Sequence, residues 1–158
     1  MEILIIVVTL IIDQLVKNWA QTSLVVNHGG SMPVIKGVFN FTYVQNTGAA
    51  FGMLSGIKSI FLFLPPIAAL ALCIYLIKNY KKTPMFVRWS LALMISGAIG
   101  NWIDRLQFGY VRDIFDFSLI NFAVFNVADI CITVAMILIA FYFLFVEGKE
   151  SKTKAKEV

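Results

Sequence analysis

VRDIFDFSLINFAVFNVAD, from Val111 to Asp129, separates the last two apolar runs of the chain and sets a carboxylate on each side of a short apolar loop, Asp113 before it and Asp129 after it. With those runs crossing a bilayer, both acids lie at or just inside its outer edge. A lone carboxylate at that depth is costly; two that converge make a paired acid and base.

The composition leaves little choice of solvent. Of 158 residues, 59% are hydrophobic and 14% charged, and the mean hydropathy is +0.84. These values fall outside the range of soluble domains and describe an integral membrane protein. A spanning helix takes about 20 mostly apolar residues, so the length accommodates about four, in one all-α membrane domain over 1–158. The opening run MEILIIVVTLII has no basic leader and no small-residue cleavage site after it, and reads as a retained helix. The net charge of +4 comes from lysines placed to orient the chain in a bilayer, so no nucleic-acid partner is expected. Cys73 and Cys131 fall in different predicted helices at opposite depths, too far apart for a disulfide.

The apolar runs predict helices over 3–20, 57–77, 89–106 and 124–146, a β-rich extracytoplasmic segment over 21–56 and a cytoplasmic tail over 147–158. In the first helix Asp13 and Lys17 stand four residues apart, on one face, where they can neutralise each other as a structural pair. Asn27-His28-Gly29-Gly30 is a turn signal. Phe39, Phe41 and Tyr43 then alternate with Asn40, Thr42 and Val44, the period of a strand with one apolar face. NTGAAFG, 46–52, follows; its small residues permit close backbone approach, and Asn46 offers a donor and an acceptor. Pro65-Pro66 is expected to kink the second helix. Lys78, Lys81, Lys82 and Arg88 mark the next connection as cytoplasmic, the lysine-rich tail agrees, and both termini are expected inside.

In the third helix Ser96, Gly97 and Gly100 are small enough to admit a neighbouring helix. Asn101, Asp104 and Arg105 follow on one face near the outer boundary, Asp104 in a scaffolding role. At the start of the fourth helix Asn126 is a good N-cap, and Asp129 sits where the helix dipole favours negative charge. Taken alone, Asp129 reads more readily as a capping residue than as a catalyst. All five aspartates, however, fall toward the outer side, and all four glutamates lie near the cytoplasmic ends. The acids useful for chemistry are gathered at one depth.

His28 is the only histidine and lies in the predicted loop, so neither a metal site nor a serine or cysteine nucleophile is supported; Cys131 is read as packing. No cofactor or metal is expected. A carboxylate dyad remains: two acids that cannot both ionise share a proton, one activating water and the other polarising a carbonyl.

NTGAAFG, GAIGNWIDR, VRD and FNVAD, in this order and on these helices, resemble the bacterial lipoprotein signal peptidases, or signal peptidase II, over nearly the whole chain, with Asp13 and Lys17 included. The resemblance implies a four-helix membrane aspartyl protease that cuts the signal peptide from prolipoproteins just before a diacylglyceryl-modified cysteine. It makes Asp113 and Asp129 the catalytic pair, and places Asn46, Gly48, Asn101, Arg105 and Asn126 where family members line the site, hold the substrate backbone or orient the dyad. It also implies an interfacial β-rich segment between helices one and two, a bacterial cell membrane location, lipid-modified prolipoproteins and membrane lipids as partners, and a monomer. Two residues depart from the family pattern: Arg112, where a second apolar residue is frequent, and Ala123, where proline is frequent. Both are expected to leave the chemistry untouched. Asp116, off the catalytic position, ranks below Asp113. The rival readings are a small proton-coupled transporter, which should spread carboxylates through the bilayer depth, and a structural scaffold, in which the two aspartates would matter only for stability.

Overall fold

The structure, a computed structural model, describes residues 1–48 and 58–147. Residues 49–52 of the NTGAAFG stretch, the expected helix start at 57 and the tail from 148 lie outside the described residues.

Among the described residues are four long helices: α1 (Glu2–His28), α2 (Lys58–Asn79), α3 (Met85–Phe108) and α4 (Val127–Phe141), the last continued by a π-helical turn over Tyr142–Glu147. Three of them, Glu2–His28, Leu62–Asn79 and Val127–Val146, are long and apolar enough to cross a membrane. With 24 residues α3 is about 36 Å long, enough to span by length alone, but it carries Arg88, Asp104 and Arg105.

The third helix begins at Met85 and not 89, so Arg88 lies in it and not in the connection, and it ends at Phe108; the second ends at Asn79. Two other ends differ from the expected ones for identifiable reasons. The first helix does not stop at Ala20. A π-helical turn over Ala20–Leu24 carries it on to His28, where Gly29 closes it in the left-handed conformation with φ 61°. Ala20 and Leu24, four apart and fully buried, pack on Ile114 of the sheet, so tertiary burial holds a segment whose polar residues suggested an exit. The last helix starts at Val127, not 124, because Asn126 is extended (φ −133°, ψ −177°) and caps it. The second helix runs through Pro65 and Pro66.

Beside the helices stands an antiparallel sheet of three strands in the order β1 (Ser31–Ile35), β2 (Phe39–Asn46), β3 (Val111–Asp116). The alternation read in Phe39–Val44 is that of β2. Phe41 and Tyr43 pack with the Ala20, Leu24 and Ile114 cluster, while the Asn40 amide and Thr42 hydroxyl donate to the Asp116 carboxylate at 3.1 and 3.0 Å. The sheet is not confined to the segment between the first two helices. Its third strand lies between α3 and α4 and pairs Val44 with Asp113 and Asn46 with Val111.

Close helix contacts depend on missing side chains. A methyl group added at Gly97 would collide with the Ala128 carbonyl oxygen and approach Ile132 Cγ1 to 2.7 Å; one at Gly100 would lie 2.7 Å from the Asp13 carboxylate. The small residues of α3 therefore let both α4 and α1 approach, and a 2.6 Å hydrogen bond between Thr9 and Ser96 joins α1 to α3. At the other end of the bundle Leu76, Val87, Leu91 and Ile95 form the apolar core.

Candidate active site

Period-two alternation sorts the side chains of β3. Arg112 and Ile114 turn toward α1, and Asp113 between them turns toward the start of α4. Asp113 is 2% exposed. Its Oδ1 accepts a hydrogen bond from Asn126 Nδ2 at 2.6 Å, and its Oδ2 accepts one from Asn46 Nδ2 at 2.9 Å. The Asn46 amide is oriented in turn: Gly48 N–H donates to Asn46 Oδ1 at 3.0 Å, which leaves the amide nitrogen facing Asp113. Gly48 is buried and has φ 121°, a conformation suited to glycine.

Asp129 is positioned by the helix it begins. Its backbone N–H donates to Asn126 Oδ1 at 3.0 Å, and its Oδ2 accepts from Asn126 N–H at 3.1 Å, a reciprocal capping box. Its Oδ1 accepts from Asn101 Nδ2 at 2.8 Å. The capping role still leaves Asp129 in one hydrogen-bonded group with Asp113, because Asn126 bonds to both. Its backbone and Oδ1 cap with Asp129, while its Nδ2 donates to Asp113 and, at 3.0 Å, to Asn101 Oδ1. The two aspartates are near enough to interact electrostatically. Burial, with Asp129 adding to it, pushes the Asp113 carboxyl up to about 6 against the hydrogen bonds from Asn46 and Asn126.

Behind the pair lies a buried ionic network. Lys17 Nζ stands 2.9 Å from Asp13 Oδ2, 3.0 Å from Asn101 Oδ1 and 3.6 Å from Asp104 Oδ2. Asp13 Oδ1 accepts from the Ala128 N–H at 2.9 Å, so the first helix supplies a second carboxylate to the N-terminus of α4. Arg105 Nη1 donates to the Asn101 carbonyl at 3.2 Å, and the guanidinium lies within electrostatic reach of Asp129, Asp113 and Asp104.

Arg112, which departs from the family pattern, is the hub of this network. It is fully buried. Its guanidinium donates to Asp104 through Nε at 3.1 Å and Nη2 at 2.8 Å, and to Asn18, Gln21 and Gln14 at 2.6, 3.0 and 3.0 Å, while the ring of Phe108 lies 4.5 Å beneath it. Its backbone N–H also donates to Asp104 Oδ2 at 2.9 Å. Asp104 is therefore matched at close range by Arg112 and Lys17. Gln14, Asn18 and Gln21 carried a faint signal, polar residues recurring at spacings of three and four along an apolar helix.

Asp129, half-buried, opens onto a groove of about 400 Å³ lined by Phe122, Val124, Phe125, Ile130 and Val134, with Thr133 beside them. Asp116 is occupied by Asn40 and Thr42, away from the pair. Among the described residues no group of three or more His, Cys, Asp or Glu side chains is arranged to hold a metal ion.

Known proteins match over nearly all of this framework. The family model for signal peptidase (SPase) II matches residues 5–145. The lipoprotein signal peptidase of Clostridioides difficile (strain 630) is 42% identical over 147 residues, 93% of this chain and 97% of that protein. That of Streptococcus thermophilus (strain CNRZ 1066) is 44% identical over 128 residues, 81% of this chain and 82% of that one. A bacterial membrane enzyme solved at 1.9 Å is 35% identical, with a TM-score of 0.80 over 92% of this chain and 93% of its own. A match from the first helix to the last, at this identity and with the same fold, places the chain in the signal peptidase II family.

Proposed function

We propose that this protein is a membrane aspartyl endopeptidase that removes the signal peptide from diacylglyceryl-modified prolipoproteins, cutting before the lipidated cysteine with Asp113 and Asp129 as its dyad. Family membership supports the substrate class, since the relatives are lipoprotein signal peptidases. The observation that carries the dyad is the single asparagine, Asn126, that holds both carboxylates.

Charge balance supports one shared proton. The four acids Asp13, Asp104, Asp113 and Asp129 meet the three cations Lys17, Arg105 and Arg112, so the cluster is electrically neutral when the pair holds one proton. In that state the ionised carboxylate takes a proton from water as its oxygen attacks the scissile carbonyl, and the protonated one donates to the carbonyl oxygen. Collapse of the tetrahedral intermediate breaks the C–N bond, and the leaving amine takes a proton from the dyad. No covalent enzyme intermediate forms, and no metal is required. Asn46, Gly48, Asn101 and Asn126 fix the carboxylate orientations, Arg105 supplies a counter-charge, and Asp13, Lys17 and Asp104 are structural.

The apolar groove beside Asp129 suits a substrate that arrives from the bilayer, with its lipid or signal helix against Phe122, Ile130 and Val134. All four helices cross the bacterial cell membrane in this reading, α3 shielding its charges within the bundle. The basic stretch 78–88, which covers the turn from α2 to α3 and the first residues of α3, is cytoplasmic with both termini, the active site lies near the extracytoplasmic face, and the enzyme works as a monomer. The transporter reading receives no such support, because the aspartates collect at one end of the bundle and the carboxylate of Glu2 at the other end is committed to Arg88.

The test is cleavage by the purified, membrane-reconstituted protein of a prolipoprotein with and without its diacylglyceryl group. The lipidated form is expected to be shortened at the residue before the cysteine. An intact lipidated substrate would overturn the reading.

A further inference from the structure

At the end of the bundle opposite the aspartates, Tyr75, Asn79, Lys82, Thr83, Tyr142 and Phe143 surround a second cavity, of about 290 Å³, where α2, α3 and α4 meet. We propose that this cavity binds the headgroup of an anionic phospholipid from the inner leaflet.

Charge points to an anion. Lys82 is exposed, and no acidic side chain lines the cavity among the described residues. Glu2, which reaches this end of the bundle, is committed to Arg88 at 2.9 Å and to the N-terminal ammonium at 3.4 Å. Lys78 and Lys81 lie within four residues of Lys82 and add to the same potential. The ammonium of Lys82 brings three donors, which suits a phosphodiester.

The walls are built to hold a shape. Thr83 is 7% exposed, and its hydroxyl donates to the Asn79 carbonyl at 3.0 Å, while the Asn79 amide donates to the Tyr75 carbonyl at 3.1 Å. The backbone N–H groups of Lys82 and Thr83 both donate to Asn79 O at 2.9 Å, so the turn bearing the cation is fixed.

A lipid fits better than a soluble anion because the cavity opens onto the outer faces of two apolar helices. On its rim Tyr75 is 49% and Phe143 53% exposed, and the same faces continue through Ile74, Ile77 and Leu144, which are 45%, 77% and 72% exposed. A headgroup in the cavity would leave its acyl chains along this surface. Basic pockets between membrane helices on the cytoplasmic side bind anionic headgroups, and this cavity sets an exposed lysine, with no acidic lining side chain among the described residues, between a fixed polar floor and an apolar flank.

The experiment uses the full chain in a zwitterionic detergent, titrated separately with short-chain phosphatidylglycerol, short-chain phosphatidylcholine and inorganic phosphate, with the thermal midpoint as readout. Phosphatidylglycerol is expected to give a saturable rise that the other two do not. Lys82→Ala should weaken it about fivefold and Lys82→Glu about 25-fold, at roughly one Lys-equivalent of surface attraction per charge, while Lys36→Ala, at the other end of the molecule, should leave it unchanged. Both Lys82 variants are expected to match the wild-type midpoint without lipid and to keep wild-type prolipoprotein cleavage in zwitterionic lipid. Equal binding of phosphatidylcholine, equal binding of inorganic phosphate, or an undiminished effect in Lys82→Glu would each overturn the proposal.

Discussion

Replacing Arg112 with glutamine cuts a side chain that ties the strand carrying Asp113 to α1 and α3 at once. The guanidinium, fully buried, makes hydrogen bonds to Asp104, Asn18, Gln21 and Gln14. Removing one partner of a buried ion pair costs about 3–5 kcal/mol, mostly because the other charge is left uncompensated. Asp104 keeps Lys17 at 3.6 Å, so the lower end of that range, about 3 kcal/mol, applies here. The double variant Arg112→Gln/Asp104→Asn removes the stranded charge as well and should recover roughly 1–2 kcal/mol of the loss, a coupling typical of contacting residues. Arg112→Lys keeps the charge but not the fork, and should fall between wild type and glutamine. Chemical unfolding of these three variants and of Asp104→Asn alone, in one detergent, measures these differences and closes the cycle. A loss below about 1 kcal/mol for Arg112→Gln, or strictly additive losses in the double variant, would refute the claim that Arg112 and Asp104 act as a unit.

Three further outcomes follow from the same geometry. Asn126→Ser keeps a capping oxygen but loses the amide that donates to Asp113, so it should change stability by less than about 1 kcal/mol, with cleavage falling tenfold or more; Asn126→Ala should lose the cap too, at about 0.5–2 kcal/mol. Gly97→Ala sets a methyl group against the Ala128 carbonyl, which cannot move without shifting α4, and should destabilise by about 1–3 kcal/mol in thermal unfolding. Asp113, raised from 3.8 to about 6, retains a proton in the folded state that the unfolded chain releases. The stability it contributes is complete below 3.8 and is lost as pH rises through about 6, about 3 kcal/mol in all, so Asp113→Asn should flatten the pH dependence of unfolding across that window.

How much of this could be read beforehand depended on how local the cause was. The Asn126 cap with Asp129 three residues later, the Asp13 and Lys17 spacing of four and the alternation of Phe39–Val44 are set by neighbours along the chain, and periodicity exposes them. Val111–Asp116, with three charged residues in six, carries no strand signal of its own; it becomes a strand only when a partner pairs with it, and its partners in β2 lie 65 to 76 residues earlier. The partners of Arg112 are hidden from the sequence for a similar reason. Asp104 is eight residues away, on the far side of the turn that Gly109 makes in the left-handed conformation, and the amides completing the site come from α1. The bond from Asp13 to the Ala128 N–H spans 115 positions, and no pattern within a helix foretells it.

The most direct test of the central claim is cleavage of a lipidated prolipoprotein by Asp113→Asn and Asp129→Asn in the reconstituted membrane. Each variant is expected to insert and fold yet to lose about 10²–10⁴-fold or more in turnover, the size of a general acid or base contribution. Cleavage near the wild-type rate by either folded variant would contradict the dyad.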